Sequence, residues 1–126
     1  MNLQESTWED LCALAEREVV RLTAGLPRPL RERAESVPVL LEPQPSEEMQ
    51  ETGIEADTLG LFMGSEWAEA GADPLPPQII LYLENLLELA EMDEQRFRDE
   101  IRTTFLHELG HFLGLDEAGL EARGLE

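Results

Sequence analysis

The chain has 126 residues, with 28 acidic side chains against nine basic ones and a formal net charge of −19 at pH 7. That length supports one domain, residues 1–126, with a single modest core. The charge sets the surface against phosphate backbones and anionic membranes, so neither nucleic acid nor a membrane is an expected partner.

Ser6 and Glu9 form a capping-box signature near the N-terminus. Behind it Trp8, Leu11, Cys12, Ala15, Val19 and Leu22 recur at three- and four-residue steps, which predicts an amphipathic helix ended by Gly25 and Pro27. Cys12 is the sole cysteine, lies among apolar residues and has no histidine near it in sequence, so it reads as packing. A lone cysteine also suits a reducing cytoplasm. The opening MNLQESTWED is polar and acidic, unlike a signal peptide, and no apolar run approaches membrane-spanning length, which makes a cytoplasmic location the expectation. Arg28 to Ser36 predicts a short helical turn. Val37 to Leu41 reads as a strand, and Pro38 marks it as an edge or a strand start.

Glu42 to Ala56, rich in Pro, Glu and Gln without periodicity, reads as a loop. Leu59 to Met63 is a candidate exposed strand between glycines, and Ser65 to Pro77 a second loop that carries Trp67. Gln78 to Glu84 is the clearest strand, β-branched and bounded by prolines, with a short helix expected over Asn85 to Ala90. The last helix is predicted to start after Asp93 as N-cap and to run to about Leu113. Phe97, Ile101, Phe105, Leu109 and Phe112 form one stripe along it, whereas His107 and His111 project roughly to the opposite side. A histidine serving the core would sit on the stripe.

Those two histidines are the only ones in the chain, and Glu108 directly follows the first. Residues i and i+4 stand one turn apart on one helix face, so two imidazoles converge on one metal ion. His-Glu-x-x-His is the zincin arrangement, with zinc on the histidines and the glutamate as general base toward water. Catalytic zinc takes three protein ligands. Gly114 permits the left-handed turn that returns the chain toward the metal, and Asp116 and Glu117 follow at once. The spacing favours Glu117 as third ligand, with Asp116 and Glu121 as alternatives. Asp116 has a competing role as cap of a terminal helix over Ala118 to Arg123. No methionine follows Met92, so the methionine turn of a full metzincin is missing.

HELGHFLGLDE, together with LGLFMG and PPQIILYLENLLELA, resembles a bacterial family of minimal, single-domain zincin-like metallopeptidases. The resemblance implies an α+β fold: an N-terminal helix, a short mixed or antiparallel sheet and a C-terminal HExxH active-site helix. By the motif match it implies zinc on His107, His111 and Glu117, Glu108 as the base, and a peptide or protein substrate. Tyr82, the only tyrosine, is a candidate hydroxyl donor to an oxyanion, and Met63 and Trp67 are candidate pocket residues. The rival reading is a zinc-bearing binding or regulatory module. A structural zinc site would be closed by four ligands, typically Cys and His, a set this chain does not hold.

Overall fold

In the computed structural model of the chain, which describes residues 2–64, 76–115 and 119, helix α1 spans Trp8–Ala24 and is capped by Thr7. The capping box is formed one residue later than Ser6 and Glu9 suggest. The Thr7 hydroxyl accepts from the Asp10 N–H at 3.1 Å, and the Asp10 carboxylate accepts from the Thr7 N–H at 3.0 Å. Both residue pairs satisfy the pattern, but Ser6 is already held in a turn through its N–H to the Leu3 carbonyl. Helix α2 (Arg28–Ala34) follows with Pro29 in its first turn, as expected from Arg28 to Ser36.

Strand β1 (Val39–Glu42) starts just after Pro38, whose carbonyl accepts from the Ile79 N–H. The stretch read as a loop contains a short helix, α3 (Glu47–Glu51), capped by the Ser46 hydroxyl on the Met49 N–H. A helix of one turn is too short to show apolar periodicity. Its signals were the cap and Glu47 and Glu48 at the positive N-terminal end. Strands β2 (Gly60–Met63) and β3 (Gln78–Tyr82) complete a three-stranded sheet of order β1-β3-β2. β1 runs parallel to β3 and β2 antiparallel to it, so the sheet is mixed. β3 stops two residues short of Glu84 because helix α4 (Leu83–Leu89) begins there, with the Glu84 N–H on the Pro43 carbonyl.

Helix α5 (Glu94–Leu113) starts after Asp93, whose carboxylate accepts from the Arg96 N–H at 2.9 Å. Its whole predicted stripe is buried: Phe97, Ile101, Phe105, Leu109 and Phe112 expose 1% or less. They pack with Leu11, Leu14 and Leu22 of α1 and with Ile79 and Leu81 of β3 in one hydrophobic core. Cys12 also packs against this core, as its neighbours suggested, and burial raises its thiol pKa above the ordinary value. The buried Glu18 carboxylate accepts from Arg21 of the same helix at 2.7 Å and, across the α1–α5 contact, from Arg98 at 3.3 Å. A buried carboxylate left unpaired would cost several kcal/mol, so the Arg98 bond helps fix how α1 lies on the final helix. The fold is α+β, as expected.

Candidate metal centre

His107 and His111 stand on the exposed side of α5, opposite the stripe that anchors the helix. Their Nε2 atoms are 3.2 Å apart and their rings meet edge to face, with centroids 4.8 Å apart. Glu108 lies between them in sequence and sends its Oε2 to 3.9 Å from the His107 Nε2. The three donor atoms fall within 4.8 Å of one another, a grouping that can hold a metal ion. Two nitrogens each bound at about 2.0–2.1 Å to a tetrahedral zinc lie roughly 3.3 Å apart. The observed 3.2 Å separation matches that spacing, and it also suits a hydrogen bond between the two imidazoles.

Asp116, Glu117 and Glu121, the candidates for a third ligand, lie outside the described residues, as do Trp67 and nearly all of the terminal helix expected after Asp116. The turn that precedes them is present. Gly114 adopts φ 73°, ψ 27°, and the Leu115 N–H closes on the Gly110 carbonyl at 2.8 Å. This is the left-handed helix ending for which glycine is suited.

Strand β2 lies against the same helix. The Tyr82 N–H bonds to the Leu59 carbonyl, so in this antiparallel ladder Leu61 pairs inward with Ile80 and Met63 with Gln78. Gly60 and Phe62 therefore aim their backbone groups at the open edge. Among the described residues β2 is paired only to β3, so the stretch read as an exposed strand over Leu59 to Met63 is a half-buried edge strand, Gly60–Met63, beside the helix that carries the histidines. The Phe62 N–H donates to Glu108, and the Phe62 ring packs on Phe112 with centroids 5.9 Å apart. Burial raises the Glu108 carboxyl pKa above the ordinary range, while His107, His111 and the Phe62 N–H pull it back down.

Gly60 and Thr104 had no assigned role in the sequence reading. A Cβ at position 60 would run into the Thr104 methyl and lie 3.5 Å from the Glu108 Cγ. A glycine inside a strand is the signature of such a close approach. Gly60→Ala is expected to destabilise the protein by about 1–3 kcal/mol through overpacking. The double variant with Thr104→Ser, which removes the opposing methyl, should be more stable than the single one in thermal denaturation. A double variant less stable than Gly60→Ala would show that this contact does not set the spacing of strand and helix.

Tyr82 does not join the centre. Side chains alternate along β3, and Ile79 and Leu81 take the face toward the core with α5, which turns Tyr82 to the other face of the sheet. It is fully buried there, its hydroxyl has no partner among the described residues, and burial raises its pKa. Met63 likewise alternates away from Phe62 and is half-buried, with its sulfur 3.8 Å from the Gln78 side-chain nitrogen. No helix among the described residues is long and apolar enough to cross a membrane.

A family model described as zincin-like metallopeptidase matches residues 34–125, more than half of the chain and the part that carries the sheet and α5. No curated protein matches the chain.

Proposed function

This chain belongs to the zincin-like metallopeptidase family, and on that premise we propose that it is a zinc-dependent peptidase. The observation that carries the reading is the 3.2 Å approach of the His107 and His111 nitrogens beside the Glu108 carboxylate, on a helix face free of core duties. His107, His111 and Glu117 would hold the zinc. Bound there, zinc would acidify a water and polarise the scissile carbonyl. Glu108 takes a proton from water at its carboxylate and passes it to the nitrogen of the leaving amine. An extended peptide aligns along the open edge of β2, hydrogen-bonding to the outward backbone groups of Gly60 and to the Phe62 carbonyl, since the Phe62 N–H is held by Glu108. The acidic surface favours substrates that are basic or unfolded over anionic ones.

Glu117 is preferred to Asp116 because it stands ten positions beyond His107, where the HExxHxxGxxH pattern of metzincins has its third ligand. Its extra methylene also lengthens the reach. Glu117→Ala is expected to weaken zinc binding well beyond the effect of Asp116→Ala, measured by competition with a chromogenic chelator. The reverse order would assign the third ligand to Asp116.

The activity itself is tested by metal analysis of the purified chain together with digestion of a diverse peptide library, with and without chelator. Near one equivalent of zinc and chelator-sensitive cleavage are expected. Zinc binding with no peptide cut would instead make the chain a zinc-bearing binding module.

A further inference from the structure

Strand β2 turns the backbone groups of Gly60 and Phe62 to its open edge, because the ladder to β3 uses those of Leu59, Leu61 and Met63. One of those outward groups has a partner, and the partner is Glu108. The Phe62 N–H donates to the Glu108 carboxylate, which stands 3.9 Å from the His107 Nε2. A hydrogen bond to a charged group is about twice as strong as one between neutral groups. A carboxylate has two oxygens, so one bond to the strand leaves the other to accept a proton from water.

The contacts on either side of this bond set its length. The Phe62 ring lies on Phe112, with centroids 5.9 Å apart and planes tilted by 55°. Phe112 is itself fully buried in the core stripe and directly follows His111. Two residues back along β2, Gly60 passes over the stem of the same glutamate. A Cβ there would stand 3.5 Å from the Glu108 Cγ and would run into the methyl of Thr104, which is buried one turn earlier on α5. The strand therefore meets Glu108 at both its stem and its head. A free glutamate side chain samples many rotamers. One held in advance does not have to be ordered when a substrate arrives.

We infer that Phe62 is a positioning residue for Glu108: its N–H holds the carboxylate beside the two imidazoles, and its ring on Phe112 keeps that N–H at a fixed distance from α5. The consequence for turnover rests on the peptidase reading, whereas the hold itself does not. Under that reading Gly60 and the Phe62 carbonyl receive the peptide while the Phe62 N–H keeps the base. Substrate and base then take their positions from the same two residues of β2. A misplacement of about 1 Å in such an arrangement costs on the order of a hundredfold in rate. If the bond served only to satisfy a half-buried carboxylate, its loss would lower stability and leave kcat unchanged.

The test replaces Phe62 in the full chain with phenyllactic acid, its α-hydroxy counterpart, which exchanges the N–H for an ester oxygen and keeps the ring and the Phe62 carbonyl. On a peptide cut by the zinc-loaded wild type, kcat should fall by about 10–100-fold with KM within about twofold and zinc stoichiometry unchanged. Phe62→Leu, which keeps an apolar contact to Phe112, should retain more activity than Phe62→Gly. A second readout needs no turnover: the NMR signal of the Phe62 amide proton, in the metal-free and the zinc-loaded chain. It should move upfield with Glu108→Ala and much less with Glu108→Gln, which keeps an acceptor, while the Leu61 amide in the ladder stays in place. An ester variant with the kcat of wild type, one that raises KM alone, or a Phe62 amide indifferent to Glu108→Ala would each overturn the inference. If the wild type cuts no peptide, the peptidase reading fails, and the amide signal alone decides whether the strand holds Glu108.

Discussion

Glu108→Gln is expected to lower peptide hydrolysis by roughly 10²–10⁴-fold while leaving zinc stoichiometry and fold intact. Glutamine has nearly the same shape and keeps an oxygen that can accept from the Phe62 N–H, but it cannot take a proton from water. The site is built to make that proton transfer count. The Glu108 side chain is 12% exposed, and its burial is the leading cause of its raised pKa. A carboxylate made more basic is a better proton acceptor near neutral pH. The same burial has a thermodynamic side in the metal-free protein. Because the folded-state pKa lies above the unfolded one, Glu108 favours folding fully at pH below its ordinary carboxylate value, and that contribution is lost as pH rises through the folded pKa. Metal-free Glu108→Gln should therefore melt higher than metal-free wild type at neutral pH, with the gap closing in acid. A substrate cut equally fast by both proteins would remove Glu108 from the chemistry, and a melting gap that widened in acid would contradict the burial argument.

The final helix was legible in the sequence because its determinants are local. Asp93 caps it, the five-residue stripe from Phe97 to Phe112 fixes its buried face, Gly114 ends it, and the histidine spacing needs no tertiary information. Position 7 was ambiguous for an equally local reason: Ser6 and Thr7 both offer capping boxes, and only the Leu3 turn decides between them. What the sequence left open is what depends on pairing at a distance. The parallel register of Val39 to Glu42 on Ile79 to Tyr82 is set by the core that α1 and α5 supply, and no pattern within VPVLLE encodes it. The face assigned to Tyr82 follows from that register, so its burial away from the histidines could not be read beforehand. Gly60 was visible as a glycine in a strand, but its reason, the Thr104 methyl, lies 44 positions away on α5.

Replacing either histidine with alanine is expected to weaken zinc binding by roughly 10²–10⁴-fold, since each supplies about one third of a binding free energy on the order of 10–16 kcal/mol. The melting temperature distinguishes this from general damage. A ligand that binds only the folded state adds about 2.7 kcal/mol at a hundredfold excess over its Kd, so wild type should melt higher with zinc than without it. His107→Ala should lose that zinc-dependent rise and keep its metal-free melting temperature, because the His107 side chain is 49% exposed and off the core stripe. Leu109→Ala, two residues along but fully buried, should do the opposite. It should lower stability by about 2–5 kcal/mol with or without metal and leave the zinc-dependent rise in place. The contrast arises because α5 divides its work between two faces, one holding the helix in the core and the other presenting imidazoles to solvent. If His107→Ala retained the full zinc-dependent rise, metal binding would have to be sought away from this pair. If it instead melted as low as Leu109→Ala without metal, His107 would be a packing residue and the division between the two faces would fail.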